Sequence, residues 1–447
     1  MKIIIYGAYA IGTHLAKLLS RNNHDTILID DDDERLANIT SDYDLMTVLA
    51  SNRKIKTLKD AGVHNADLFI AVTPDENFNM NICMMAKALG VKRTVSKVDS
   101  YEYNEPRFKE FFEKLGISSI IYPEHLAARD IANGLKMSWV RQRWDVHDGA
   151  LVMLGIKLRE SCEILNEPLK ELCKPESPYH IVAVKRGDDT IIPRGDDVLK
   201  IYDLAYFMTT RNYIPYIRKI VGKEHYVDVK NVIIMGGGAT AVRSTYLMPE
   251  YMNVKILEQD EERCEKINEI IENERVMVIH GDGRDMSLLM EEGIKNTQAF
   301  VALTGNAETN ILACLTAKRM GVRKTVAMVE NLDYVSMAES LDIGTIINKK
   351  ALAASYIYQM MLDADVNNIR FLMTANADVA EFTAQQGSRV TRKKVFELGL
   401  PSGATIGGLV RHGEGILVSG GTQIEAGDIV VVFCHGINMD KLEKFFN

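Results

Sequence analysis

The chain lacks the short signatures that mark the common enzyme and metal-site classes. Its six cysteines, Cys83, Cys162, Cys173, Cys264, Cys314 and Cys434, show no Cys-x-x-Cys spacing. That argues against a zinc ribbon or a redox pair and predicts reduced, buried thiols. There is no Gly-x-Ser-x-Gly elbow and no Walker loop. The ten histidines are scattered. His14 falls on a predicted helix, and His64, His147, His180 and His412 fall in turn-like contexts. None pairs with an acid at a catalytic spacing, and His280 also reads as structural. No apolar run approaches the roughly 20 residues needed to span a bilayer. The longest, such as IVVVFC at 429–434, are strand-length. Met1 leads straight into an apolar strand rather than a charged leader, so a cytosolic chain with no direct membrane insertion is expected. A net charge of −8 leaves no global basic field for nucleic acid or anionic lipid. Low-complexity tracts and Gly/Ser linkers are missing too.

What is present is a sequence that occurs twice. At 447 residues the chain is too long for one core, and 47% hydrophobic residues are enough to fill several. KIIIYGAYAIG at 2–12 is an apolar strand entering a glycine turn, and KNVIIMGGGATA at 230–241 repeats it. AVTPDENFN at 71–79 answers ALTGNAETN at 302–310, and AKALGVKRTV at 86–95 answers AKRMGVRKTV at 317–326. In each copy short apolar runs alternate with amphipathic segments, which predicts an open parallel sheet covered by helices on both faces. A connecting helix is expected over 124–144 and again over 349–365. Each precedes a segment of short β runs punctuated by Gly and Asp turns, at 151–210 and 369–434. The expected fold class is α/β: two Rossmann-like doubly wound parallel-sheet domains, each followed by a small α+β lobe. The expected domains are 1–123, 140–223, 229–348 and 367–447, with 225–230 as the joint between halves.

A strand that ends in a tight turn and opens a helix presents free backbone N–H groups at the positive end of a dipole, which is an anion site. The dinucleotide fingerprint adds three small residues and an acid at the end of the second strand to hold the ribose. The first loop has Gly7, then Tyr9 where glycine is expected, then Gly12; Asp30 follows 23 residues after Gly7. The second has Gly236, Gly238 and Ala241, with Glu258 placed 22 residues after Gly236. The Tyr9 side chain either crowds a diphosphate or stacks on the ligand. Acids at the strand ends disfavour a 2′-phosphate, so NAD(H) or an adenine nucleotide is expected rather than NADP. The third strand of the second copy ends His-Gly-Asp-Gly, with Asp282 facing the ligand. The first copy has Leu-Ala-Ser-Asn at 49–52 instead. Thr73 and Thr304 end the fourth strands, as ligand contacts or as helix N-caps.

Two nucleotide-binding units, each followed by a small β-rich lobe, resemble the regulator-of-conductance-of-K⁺ (RCK) family in its tandem form. The most specific stretch is LPSGATIGGLVRHGEGILVSGGTQIEAGDIVVVFC at 400–434, with its Leu-Pro-x-Gly, Ile-Gly turn, Arg, and Gly-Asp before the last strand. In the first small lobe Tyr202-Asp203 stands where Gly-Asp is usual. The resemblance implies a non-enzymatic subunit of a cytosolic gating ring. Four chains would supply eight RCK units under a membrane K⁺-translocating subunit of the Trk or Ktr type, on the inner face of the membrane. It implies NADH, NAD⁺, ATP or ADP as regulatory ligands. The implied contacts are Gly7, Ala8, Tyr9, Ala10, Ile11, Asp30, Thr73, Pro74 and Val98 in the first copy. In the second they are Gly236, Gly237, Gly238, Ala239, Thr240, Glu258, Thr304, Gly305 and Val329. The sequence departs from the pattern at Tyr9 and Ala50. Some relatives bind cyclic di-AMP at the small lobes, and no residue here points to it. The rival readings are an RCK regulator of another cation transporter and an NAD-dependent oxidoreductase, which needs a base beside the nicotinamide.

Overall fold

The structure is a computed structural model that describes residues 1–21, 24–40, 45–50, 55–187, 189–331, 333–361, 366–372, 377–435 and 439–447. The chain forms two compact units, Met1–Leu126 with Lys349–Leu362, and Ala127–Asn348 with Asp363–Asn447.

The first unit holds six strands: β1 (Lys2–Tyr6), β2 (Asp25–Asp30), β3 (Met46–Leu49), β4 (Leu68–Ala71), β5 (Arg93–Lys97) and β6 (Ser119–Ile121). They pair in parallel in the order β3-β2-β1-β4-β5-β6. Ile3, Ile4 and Ile5 are fully buried, as expected of a central strand covered on both faces. The order reverses between β1 and β4, and at such a switch point ligands lie beyond the carboxyl ends of the strands. The helix Lys349–Met361 packs on the helix Ala10–Arg21 of this unit, although the second copy separates them in sequence. Lys349 pairs with Glu124 at 3.3 Å, and Arg93 Nη1 donates to the Met360 carbonyl at 2.5 Å.

One expected element needs correction. The helix read over 124–144 ends early, spanning Pro123–Leu135. Gln142–Val146 is instead β7, because its residues alternate: Trp144 and Val146 are buried while Arg143 and Asp145 share the other face and pair at 2.8 Å. Ahead of that helix the chain makes turns at Glu102–Asn104 and Pro106–Phe108 and the short helix Lys109–Lys114. Residues 362–365 of the second connecting segment lie outside the described residues.

The second unit repeats the parallel sheet with β12 (Asn231–Met235), β13 (Asn253–Glu258), β14 (Val276–His280), β15 (Ala299–Ala302), β16 (Lys324–Met328) and β17 (Thr345–Ile347), in the order β14-β13-β12-β15-β16-β17. It also carries two five-stranded antiparallel sheets. One orders β8 (Leu151–Lys157), β9 (Tyr179–Arg186), β10 (Asp189–Ile191) and β11 (Leu204–Thr209) as β10-β9-β11-β8-β7. The other orders β18 (Val366–Leu372), β19 (Ala377–Thr383), β20 (Ala404–Arg411), β21 (Glu414–Leu417) and β22 (Ile429–Cys434) as β18-β19-β22-β20-β21, the same topology. The two sheets share one core, in which Trp144, Met153 and Tyr206 meet Val379, Val431 and Phe433.

The Arg and Gly-Asp pattern of the last lobe proves to be a structural clasp. Arg411 forks onto Asp428 at 2.8 and 2.7 Å, and the Glu425 N–H donates to the same carboxylate at 2.8 Å. The first lobe repeats the clasp with Arg186, Asp203 and the Lys200 N–H at 2.9, 2.7 and 2.8 Å. Gly427 has φ +90, and Tyr202 adopts φ +68 at the equivalent corner despite its side chain. The turn-like placement of His180 is corrected: it lies on β9 with Nδ1 3.2 Å from the Val418 carbonyl. Five of the six thiols are buried and Cys173 is half-buried.

Lys324 opens β16 at only 3% exposure, and its Nζ donates to the Val140 carbonyl at 2.6 Å and to Thr345 Oγ1 at 3.1 Å. Burial, with Arg141 nearby, pulls the ammonium down to about 7. A lysine whose pKa falls on folding binds fewer protons folded than unfolded between that value and its ordinary one, so its contribution to stability rises with pH across that window. Stability is expected to gain about 1.5 kcal/mol from this group between pH 7 and 8.5. In Lys324→Met that slope disappears, as denaturant unfolding at the two pH values will read.

Candidate nucleotide clefts

Each glycine loop begins with a residue that must be glycine. Gly7 and Gly236 have φ +113 and +97, and a Cβ on either would press on the backbone of Thr73 or Thr304 at 3.0–3.1 Å. Their N–H groups donate to Ile29 and Leu257, each at 2.8 Å, which seats the turn against the second strand. Gly12 is required for packing, since a Cβ there would lie 1.9 Å from the Gly7 carbonyl oxygen.

In the second copy the loop opens onto a cleft of about 450 Å³ lined by Gly236, Gly237, Gly238, Glu258, Asp282, Thr304 and Gly305, among others. Glu258 is 7% exposed. It accepts the Gly237 N–H at 2.7 Å and the Asp260 N–H at 3.1 Å. A carboxylate offers about four acceptor sites, so roughly two remain for a ligand. Arg263 stands off at 3.9 Å and is largely exposed. The helix Ala239–Leu247 starts at the loop, and no side chain caps its N-terminus. Asp282 is held by the fork of Arg284 at 3.0 and 2.7 Å, and that bond lowers its carboxyl to about 2. Ala239, Thr240 and Val329 are not among the lining residues. Thr240 and Val329 are buried, and the Val329 N–H goes to Ile347 at 2.9 Å.

The first copy has the same backbone but is filled differently. Asp30, 2% exposed, accepts the Ala8 N–H at 2.5 Å and the Asp32 N–H at 2.9 Å. It also takes Arg35 Nε at 3.0 Å and Nη2 at 2.7 Å. Three of these donors converge on Oδ1 and the Ala8 N–H alone takes Oδ2, so Arg35 clamps one side of the carboxylate. The Arg35 guanidinium lies 4.4 Å from the centre of the Tyr9 ring, a cation–π stack, and Asp30 holds it above its ordinary pKa. The choice between crowding and ligand stacking at Tyr9 thus meets a third arrangement, in which the ring stacks on the chain's own arginine. Ala10 and Pro74 are exposed and Ile11 half-buried. Val98 is fully buried, with its N–H bonded to Ile121 at 2.9 Å. Ala50 is fully buried and donates to the Asp30 carbonyl at 2.7 Å. Ser51 and Asn52 lie outside the described residues.

Thr73 and Thr304 do not cap the following helices. Asp75 and Asn306 do, accepting from Phe78 and Thr309. Each threonine instead gives its hydroxyl to a buried asparagine, Asn79 or Asn310, at 2.7 Å, and the asparagine returns Nδ2 to the threonine carbonyl at 2.9 Å. The same Nδ2 reaches Lys97 or Met328 on the fifth strand, at 3.0 and 2.9 Å. Sequence reasoning missed both asparagines, although each stands six residues after its threonine in both copies. It also missed Arg35 and Arg263, each five residues after its acid. His280 is held by the Gln259 carbonyl at 2.9 Å. Among the described residues no cluster of three metal-ligating side chains occurs.

The family model of the TrkA-N domain matches residues 3–123 and 232–349, and that of the TrkA-C domain matches 379–447. The Trk system potassium uptake protein TrkA of Azorhizobium caulinodans is 27% identical, over 100% of this chain and 98% of its own. That of Halomonas elongata is 29% identical over 97% and 95%. Among solved structures, the GsuK RCK domain superposes with a TM-score of 0.63 at 15% identity, covering 100% of this chain and 94% of its own. The GsuK channel bound to NAD gives 0.62 at 14%, covering 100% and 78%. These structures share the fold. The two TrkA-N matches together span more than half of the sequence, and the chain therefore belongs to the TrkA family.

Proposed function

We propose that this chain is the nucleotide-sensing regulatory subunit of a potassium uptake system. It acts without catalysis, as part of a cytosolic gating ring of four chains and eight RCK units. The ring sits on the inner membrane face through a K⁺-translocating partner of the Trk or Ktr type. The relatives are named for potassium uptake, and a fold neighbour is described bound to NAD. Among the described residues no helix is long and apolar enough to cross a membrane, which fits a role through a partner. We divide the chain at 1–123, 140–223, 229–348 and 367–447.

One observation carries the sensing role: Glu258 keeps free acceptor sites beside an open glycine loop and helix N-terminus, whereas at Asp30 the Arg35 guanidinium is seated on the carboxylate and stacked on Tyr9. The second cleft is the sensor for NAD(H), ATP or ADP, bound through Gly236–Gly238, Glu258, Asp282, Thr304 and Gly305. Ala239 and Thr240 act through backbone only, and Val329, whose N–H is given to Ile347, supports the cleft by packing. The first set, Gly7, Ala8, Tyr9, Ala10, Ile11, Asp30, Thr73, Pro74 and Val98, forms a closed copy. The bound nucleotide shifts the ring between two shapes by its differential affinity, a coupling of about 1–3 kcal/mol.

Calorimetric titration with NADH, NAD⁺, ATP and ADP tests this. One site per chain is expected, lost in Glu258→Ala. Two equal sites would overturn the closed first copy, and no binding to any of the four would overturn the sensing role. Purification of the chain with a potassium transporter, rather than an antiporter or divalent-cation carrier, separates this reading from the related one.

A further inference from the structure

The two copies differ at one corner of their parallel sheets. LGISSII at 115–121 answers LDIGTII at 341–347, so Asp342 stands where the first copy has Gly116. Both take a left-handed backbone, Gly116 at φ +90 and Asp342 at φ +54. Glycine holds that conformation freely, whereas a side chain there is uncommon and points to a use for it.

The contacts of Asp342 show the use. Arg141 Nη2 donates to Oδ1 at 2.5 Å, and Oδ2 takes Arg159 Nη2 together with Lys318 Nζ at 3.1 Å. Lys318 also donates to the Asp342 carbonyl. Burial pushes the carboxyl up, but Arg141, Lys318 and Arg159 outweigh that and hold it below its ordinary value. Both arginines belong to the first small lobe. Arg141 precedes β7, with its N–H on the Gly155 carbonyl at 2.8 Å, and Arg159 follows β8. Lys318 stands in the last turn of the helix Ala307–Arg319, which packs on β15 and β16. The carboxylate therefore joins the first small lobe to the second parallel sheet. Two further bonds close the same seam: Thr345 on β17 gives its hydroxyl to the Arg141 carbonyl at 2.7 Å, and Lys324 on β16 donates to that of Val140. In the first copy the aligned residues are engaged elsewhere. Lys87, the counterpart of Lys318, donates to the Lys92 carbonyl at 2.6 Å, and Arg93, the counterpart of Lys324, to that of Met360.

Two regular elements lead from the nucleotide cleft to this seam. The helix Ala307–Arg319 starts where Asn306 and Thr309 line the cleft, and its last turn places Lys318 on Asp342. Strand β16 runs the opposite way between the same two places. Its last residue, Met328, accepts from Asn310, which also holds Thr304 in the cleft; its first residue is Lys324. The two ends of the strand lie about 13 Å apart.

We propose that Asp342 is the latch through which a nucleotide in the second cleft acts on the first small lobe. This rests on the second cleft being the sensor. A ligand that draws in Thr304 and the start of the helix Ala307–Arg319 moves helix and strand together, and Asp342 carries the arginines of the lobe with them. The latch occurs in the copy whose strand-end acid is open to ligand.

The test follows amide hydrogen exchange in the full chain, with and without saturating NADH, NAD⁺, ATP or ADP. In wild type, bound nucleotide is expected to slow exchange in β8 and β11 by about fivefold or more. Asp342→Gly suits the left-handed backbone. It is expected to bind nucleotide in calorimetry and to protect the cleft, with the effect on β8 and β11 reduced to less than about twofold. Arg159→Gln cuts the latch from the lobe side, where the side chain is 32% exposed, and is expected to shrink the effect in the same direction even if Asp342→Gly fails to fold. A merely structural Asp342 would speed exchange in both states and leave the nucleotide effect unchanged, which overturns the proposal. So does a wild-type lobe that ignores bound nucleotide. Absence of binding in calorimetry would remove the sensor itself, and the latch with it.

Discussion

Gly238→Tyr is expected to weaken nucleotide binding at the second cleft by about 100-fold, or about 2.7 kcal/mol, while changing stability by less than about 0.5 kcal/mol. The two halves of this result come from one geometry. Gly238 has φ −69, a conformation any residue adopts, and a Cβ built on it meets nothing within 4 Å. The backbone therefore accepts tyrosine without strain, and the ring projects into the cleft where the pyrophosphate must approach the loop. The variant also copies Tyr9, on whose ring Arg35 stacks while it clamps Asp30. Arg263 stands at the same spacing from Glu258, 3.9 Å away, and a tyrosine at 238 offers it the same platform. Calorimetry reads the affinity and denaturant unfolding reads the stability. Unchanged affinity in both Gly238→Tyr and Glu258→Ala would remove the second loop as the binding site.

Asp428→Ala is expected to destabilise the last lobe by about 2–4 kcal/mol. Asp428 is 2% exposed and takes the Arg411 fork together with the Glu425 N–H. Its loss leaves a guanidinium without its main counter-charge and a backbone donor without an acceptor. The figure sits below that of a fully buried pair because Arg411 is 24% exposed and keeps Glu425 at 2.6 Å and the Gln423 carbonyl at 3.0 Å. Asp428→Asn retains an acceptor and is expected to lose less than half as much. Local unfolding followed by amide exchange is the suitable measurement, because a chain of several cores need not unfold in one step. An alanine variant as stable as wild type would show that the clasp is incidental.

The doubly wound sheets were legible because local signals agreed. Continuous apolar strands, glycine turns and amphipathic helices recur in both copies, and each points to the same parallel layer. The acids Asp30 and Glu258 were legible from their distance to the loop. The strand at Gln142–Val146 was not: five residues of alternation carry little weight beside a helical run that ends only at Leu135. The small-lobe clasp was visible as a pattern, but its purpose was not, because Arg411 and Asp428 meet only when β20 and β22 pair.

The sequence by itself determined that there are two nucleotide-type folds, where their loops lie and which acid serves each, since these depend on residues close along the chain. Only the tertiary structure decided that the copies are unequal in the way they are. Whether a carboxylate is clamped by the chain's own arginine depends on which side chains reach it in space, and Arg35 reaches Asp30 while Arg263 stops short of Glu258.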